Sequence, residues 1–285
     1  MGNPVVIPTR ITKENQRFFL NTTEIPGIQS FRGGYNVPYQ PMVYLGESGQ
    51  VNMLPVGAQA GSFSISTALI SNDLWIPLTG NTGFNGYVIQ RRNDIDNTFG
   101  FQSGYLTSYT SSYKIGQIPT IEIEAVAFKS AGRISAANYA EDFDVITLGE
   151  TAALLKIPGP GSVTLNLDEF TTNRVLGYDL SILCARNPMY QLGSRIPWAV
   201  EINYPIEVQC NFQIDLSDYQ PKNVTDFPFS TVTKNLTLTV KTFDTDAVIT
   251  TYAFNNLKLE SEQYEATVDN SVKMNLQYKT FMMPE

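Results

Sequence analysis

"GYLTSYTSSYKIGQIPTIEIEAVAF" (Gly104–Phe128) is the stretch on which the reading of this chain turns. Ile121, Ile123 and Ala125 alternate with Glu122 and Glu124, the period-two pattern of a strand with one buried face. Moved 153 positions along, the stretch meets itself without a gap. Leu106 falls on Leu259, Ser108 on Ser261, Ile115 on Val268, Ile121 on Met274, Ile123 on Leu276 and Phe128 on Phe281. Met274, Leu276 and Tyr278 repeat the alternation.

One doubled hairpin can arise by chance, but a second echo lies upstream. "PMVYLG" (Pro41–Gly46) faces "PMYQLG" (Pro188–Gly193) at an offset of 147. Pro55 meets Pro205, Phe63 and Ile65 meet Phe212 and Ile214, Gly34-Tyr35 meets Gly177-Tyr178, and Leu20-Asn21 meets Leu165-Asn166. The blocks keep their order, and the offsets drift only as loop insertions would make them drift. The expected organisation is therefore an extended arm over 1–16, a first β module over 17–132, a linker over 133–159 and a second β module over 160–285. The linker contains an alanine-rich, acidic run at Ser135–Asp142, read as a short helix, and ends near Pro158-Gly159-Pro160-Gly161, a strong breaker.

Composition agrees with an all-β chain. Charged residues make up 16%, and Thr, Ser, Asn, Tyr, Phe, Val and Ile dominate, the palette of half-buried strands and polar turns. Short strands recur between turn residues in both copies, so each module is expected to be a barrel or sandwich. The formal charge of −8 excludes a basic nucleic-acid-binding surface. The same sign as DNA phosphate does suit a wall that DNA slides past.

Chemistry is sparse. With no histidine, Ser/His and Cys/His nucleophiles and the usual zinc sites are excluded. Cys184 and Cys210 lack metal or redox spacing and read as two small buried thiols, with a cross-strand disulfide the alternative. Glycines stand singly, and no phosphate-binding loop opens a helix. Carboxylates at Glu122 and Glu124, or at Glu260, Glu262 and Glu265, sit on alternating strand positions and read as solvated faces rather than a glycosidase pair. No enzyme activity, catalytic residue, cofactor or metal is expected. There is no signal-peptide core at the start of the chain and no apolar run near the length of a spanning helix, so no membrane partner is expected.

The copies differ in charge. The second carries 9 basic and 15 acidic residues, the first 6 and 7. Part of the excess lies in the echoed hairpin, where Glu260, Glu262, Glu265 and Asp269 replace Thr107, Tyr109, Ser112 and Gly116.

"FFLNTTEIPGIQSFRGGY", the hairpin quoted first, and "LGYDLSILCARNPMYQLGSRIPWAVEINYPIEVQCNF" together resemble the modules of bacteriophage tail-tube and related virion structural proteins. The resemblance is one of pattern and covers most of both repeats. It implies a small β-barrel or sandwich with long hairpins, whose neighbouring subunits join sheets around a ring that stacks into a conduit for DNA. A two-module chain then forms a trimer with six pseudo-equivalent modules, or a hexamer with the second module outside the tube. Localisation would be the virion tail after synthesis in the host cytoplasm, with self as the main partner, sheath or baseplate proteins as further ones, and DNA only in transit. On that reading Glu260, Glu262, Glu265 and Asp269 are candidates to face the lumen. Ile121, Ile123, Phe128, Met274, Leu276 and Phe281 are candidates for the sheet between subunits. The alternatives are a baseplate hub, neck or fibre-attachment protein, or a glycan-binding adhesin module built on the aromatic residues.

Overall fold

The computed structural model describes residues 16–42, 52–55, 60–92, 95–133, 162–168, 170–215, 233–242, 245–266 and 272–283. The expected helix at Ser135–Asp142, and the N-terminal arm before Gln16, lie outside the described residues. Within them the chain is all-β. Eighteen strands run in chain order: β1 (Gln16–Leu20), β2 (Thr23–Glu24), β3 (Ile28–Asn36), β4 (Tyr39–Met42), β5 (Asn52–Pro55), β6 (Ala60–Ala68), β7 (Phe84–Arg92), β8 (Ile95–Lys114), β9 (Thr120–Arg133), β10 (Val163–Leu167), β11 (Phe170–Thr172), β12 (Val175–Leu183), β13 (Arg186–Met189), β14 (Ala199–Ile202), β15 (Ile206–Asp215), β16 (Lys234–Lys241), β17 (Val248–Glu265) and β18 (Lys273–Met282). The helical geometry among the described residues is a single 3-10 turn at Ile76–Thr79.

Fourteen of the strands form one antiparallel sheet, and β4·β5 and β13·β14 are separate ribbons. The alternation read from the sequence sets which face is buried. Ile121, Ile123, Ala125 and Ala127 point inward from β9, as Met274, Leu276 and Tyr278 do from β18. One inward row crosses six strands through Ile65, Ile123, Tyr109, Ile182, Val208 and Thr280, each directly opposite the next. All six are buried, and five of them belong to one hydrophobic cluster that draws on both halves of the chain. Each half is expected from its sequence to be a barrel or sandwich module, and among the described residues the large antiparallel sheet continues from one half to the other through β8·β12. The reason is the length of β8. Its first part pairs with β7, and its last residues run past β7 and offer a free edge to β12.

The second nine strands repeat the pairing of the first nine. Phe19↔Glu24 in β1·β2 answers Asn166↔Thr171 in β10·β11, both 147 positions on. Gly33↔Phe63 answers Leu180↔Cys210, and Pro41↔Met53 answers Pro188↔Val200, again at 147. Val88↔Phe99 answers Leu238↔Tyr252 at 150 and 153, and Thr110↔Glu122 answers Gln263↔Asn275 at 153. Irregularities recur too: the bulges at Ile28/Ser30 and Leu106/Ser108 reappear at Val175/Gly177 and Leu259/Ser261. Ser103 and Asn256, 153 apart, both bend their long strands with positive φ, 52° and 59°. On this ladder Phe63 corresponds to Cys210 and Leu20 to Leu167, so the sequence matches of Phe63 to Phe212 and Leu20 to Leu165 are each displaced by two residues. A slip of two leaves every side chain on its own face, which is why hydrophobic pattern alone tolerates it.

The halves fill their cores differently. The first stacks aromatic rings: Phe31 on Phe63 with centroids 5.8 Å apart, Phe63 on Phe101 at 4.4 Å, and Phe84 edge-on to Phe101 at 5.3 Å. The second uses Leu165, Leu236, Leu238, Val240 and the thiol of Cys210. Cys184 and Cys210 are both buried and form no disulfide.

Candidate assembly interface

The seam where the halves meet joins a strand ladder to a buried polar network. β12 lies antiparallel to the end of β8 over seven pairs, from Gly177↔Lys114 to Leu183↔Ser108. Two further bonds extend it: Cys184 N–H donates to the Thr107 carbonyl and Ile115 N–H to the Leu176 carbonyl, each at 2.8 Å. Behind the ladder the Tyr113 and Tyr178 rings stack with centroids 5.7 Å apart.

Deeper in the seam the hydroxyls of Tyr109 and Tyr252 both donate to Asp73 Oδ2 and lie 3.0 Å from each other. Ser111 Oγ sits 3.2 Å from the Tyr252 hydroxyl and 3.3 Å from that of Tyr178. Asp73 is held by its other oxygen, which accepts from Trp75 N–H at 2.8 Å and from Ile76 N–H, an Asx-type cap on the 3-10 turn. The carboxylate thus ties a loop of the first half to a strand of the second. Burial is the main cause that lifts Tyr109 and Tyr252 well above the ordinary phenol range, and the adjacent Asp73 charge adds to it. Burial likewise pushes the Cys184 thiol up to about 11 and that of Cys210 to about 12, so neither is a nucleophile near neutrality.

Arg186 clamps the same seam from β13. Its Nε donates to the Leu106 carbonyl at 2.7 Å, one terminal nitrogen donates to Gly80 at 2.9 Å, and the guanidinium lies 5.7 Å from the Tyr105 ring centroid. On the opposite face of the sheet, polar residues such as Ser112, Thr120, Asp179, Asn211, Gln263 and Gln277, together with apolar ones such as Ile118, line an open cleft of about 580 Å³ between the two long hairpins. Asp179 is lifted above the usual carboxylate range by desolvation first and by Glu122 second.

The residues singled out from the sequence divide. Ile121, Ile123, Met274 and Leu276 are 1% exposed and belong to the chain's own core. Their strands are flanked on both edges within the chain, β9 by β6 and β8, β18 by β15 and β17. Phe128 is buried, whereas Phe281 is half exposed beneath Lys279, whose Nζ is 5.3 Å from the ring and 2.7 Å from Glu207. Glu260 accepts from Gln277 Nε2 at 2.8 Å, and Glu265 stands opposite Lys273, so both lie on the polar face. Glu262 is opposite Leu276 on the other face, and Asp269 is outside the described residues. The three described carboxylates therefore do not share one face of the hairpin. Asp73, Tyr252 and Arg186 were missed by sequence reasoning. The one local signal was "SNDLW" (Ser71–Trp75), an Asx-turn sequence before the Pro77 turn.

Among the described residues no three His, Cys, Asp or Glu side chains converge in a metal-binding group, and no helix is long and apolar enough to cross a membrane. No family model matches the chain, and no curated protein matches it.

Proposed function

We propose that this chain is a structural subunit of a bacteriophage tail tube, made of two copies of one β module and assembling through its sheet edges into stacked rings around a DNA channel. The observation that carries the reading is the repeat of pairings. Nine strands recur in order with their pairings, and three of the bulges in each half recur with them: Ile28/Ser30, Phe84/Gly86 and Leu106/Ser108 as Val175/Gly177, Lys234/Leu236 and Leu259/Ser261. One copy is already joined edge to edge with the next through β8·β12. A chain that contains one junction between equivalent units, with further unit edges left over, is built to continue that junction into a closed ring or a filament. Three chains supply six units, the count that a pseudo-six-fold ring takes.

Surface chemistry is consistent with a conduit. The face opposite the core carries Ser, Thr, Asn and Gln with Glu260 and Glu265, and the chain's charge of −8 repels phosphate. Such a wall offers DNA neither counterion release nor stacking platforms.

Negative-stain micrographs of the purified full-length chain, across a range of protein and salt concentrations, test the reading. Rings with a central lumen, stacking into tubes, are expected. Monomers at every concentration, with retention on an oligosaccharide array, would overturn it in favour of an adhesin.

A further inference from the structure

The repeat of pairings leaves two strand edges that are used inside the chain but not at its ends. β12 is covered by β8, yet its counterpart β3 pairs, among the described residues, with β6 alone. The end of β8 is covered by β12, yet its counterpart, Lys258–Glu265 of β17, has β18 on one edge and no strand on the other among the described residues. Burial follows the same division. Tyr178, Leu180 and Ile182 on β12 and Tyr109, Ser111 and Tyr113 on β8 are at most 3% exposed. On the uncovered edges Tyr35 is 55% and Tyr264 60% exposed.

We infer that β3 of one copy pairs antiparallel with the end of β17 of a second copy, in the register that β12 and β8 use within the chain. The partner is another molecule of this same chain, and the inference rests on the ring reading above. Shifting the internal register by 147 and 153 sets Arg32 opposite Glu265, where Asp179 faces Ser112 inside the chain. Gly33 comes opposite Tyr264, where Leu180 faces Ser111, and Gly34 opposite Gln263, where Ser181 faces Thr110. Charge is complementary at the first pair, and a large side chain meets a small one at the second in both seams. Arg32 and Glu265 are both exposed.

The register also fixes the geometry of the Arg32–Glu265 pair. The bonds Cys184 N–H to Thr107 and Ile115 N–H to Leu176 make the pairs of residues 176 to 184 with even numbers the hydrogen-bonded ones. Asp179↔Ser112, and by equivalence Arg32↔Glu265, is then a non-hydrogen-bonded pair, with Cα atoms about 4.5 Å apart and side chains at their closest. That spacing suits an ion pair, and it also falls within the range of about 4.4 to 6.8 Å that a disulfide bridges.

The contact is head-to-tail, so it uses a different patch on each molecule. It also gives the acidic hairpin a purpose. Glu265 replaces Ser112 because its neighbour across the outer seam is Arg32 rather than Asp179.

The experiment uses full-length Arg32→Cys and Glu265→Cys chains, mixed and oxidised, on a non-reducing gel. The native thiols are buried and stay out of the reaction. A covalent dimer is expected from the mixture and at least tenfold less from either variant alone. Arg32→Glu or Glu265→Arg is expected to raise the concentration needed for assembly at least tenfold, and the two together to restore it to within about threefold. Rings in the micrographs without the mixed dimer would overturn this seam and leave the ring reading standing. Dimer from Arg32→Cys alone would show β3 pairing with itself and overturn the head-to-tail arrangement. Neither rings nor dimer at any concentration would overturn both.

Discussion

Replacing Asp73 with alanine probes whether the two halves are locked by the buried network or merely adjacent. The substitution withdraws the acceptor from two phenols that are 0% exposed, Tyr109 and Tyr252, and from the Trp75 amide. A hydrogen bond to a charged group contributes about 1.5–3 kcal/mol, and a buried donor left without a partner costs about 1–3 kcal/mol. Tyr109, Tyr252 and Ser111 remain within reach of one another, so part of the loss is recovered and one hydroxyl is orphaned. The expected net destabilisation is about 4 kcal/mol. With a urea slope near 3 kcal/mol/M, the unfolding midpoint falls by roughly 1.3 M. Tyr252→Phe removes one donor without orphaning another and should cost only about 1.5–2 kcal/mol. In the double variant the missing hydroxyl cannot be orphaned, so the combined loss should be about 1–2 kcal/mol smaller than the sum. Urea unfolding followed by far-UV circular dichroism and by the fluorescence of Trp75, which is 2% exposed beside Asp73, measures all three. An Asp73→Ala midpoint equivalent to within about 0.5 kcal/mol of the parent chain, or strict additivity, would falsify the claim that this network joins the halves.

Stability should be flat through neutrality and drain away in alkali. Cys184 and Cys210 rise from 9.0 to about 11 and about 12, Tyr87 from 10.0 to about 12, and Tyr109 and Tyr252 also rise, all chiefly through burial. Each folded-state value lies above its unfolded one, so the unfolded chain releases protons first; stability is complete below about pH 9 and is lost as pH climbs toward 12. Urea midpoints at pH 7, 9 and 10.5 check it, and an unchanged midpoint at pH 10.5 would contradict it. Ile123→Lys and Leu276→Lys place a charge at core positions 1% exposed, and each should cost at least about 3 kcal/mol in the isolated chain. Loss of assembly in those variants without loss of stability would contradict their placement. At Gly100 an added Cβ lies 2.2 Å from the Gly86 carbonyl oxygen and 2.5 Å from Tyr87 Cα. Gly100→Ala should therefore lose about 1–3 kcal/mol by forcing β7 away from β8, and a thermal midpoint equal to the parent's would argue against so close an approach.

How much of this was legible in the sequence depends on how each feature is encoded. The all-β class is written in alternation, and Ile121–Ala125 and Met274–Tyr278 deliver it directly. The hairpin offset of 153 and the Pro41/Pro188 offset of 147 match the ladders because those blocks are ungapped. Phe63 was matched to Phe212 rather than Cys210 because a period-two pattern fixes the face but not the register, and turn length fixes the register. The seam left no such trace. Nothing local in β8 marks its last residues as bordering a strand some seventy positions away, and Asp73 and Tyr252 are 179 positions apart. Ile123 and Leu276 were assigned to the contact between subunits because alternation reports burial without saying against what.

The seam covered inside the chain and the two edges left uncovered among the described residues have different chemistry, which is the difference expected if the outer edges are buried only on assembly. The internal seam closes as the chain folds, so it can carry Leu180, Ile182 and a phenol–carboxylate network whose exposure would be costly. An edge that waits in solution for its partner is under the opposite constraint, because apolar side chains on a free strand recruit any other strand. At the positions of Leu180, Ser181 and Ile182, β3 carries Gly33, Gly34 and Tyr35, and at that of Asp179 it carries Arg32. The β17 edge carries Gln263, Tyr264 and Glu265 where β8 carries Thr110, Ser111 and Ser112. Unlike charges on the two edges discourage each from pairing with its own kind and favour the one heterologous pairing. A ring assembled that way should come apart in salt far below the urea needed to unfold the chain, since an exposed ion pair is screened while the buried network is not. Sedimentation at rising ionic strength, set beside the urea transition, measures that gap; rings that survive molar salt and dissolve only as the chain unfolds would show that the outer seam is held by burial instead.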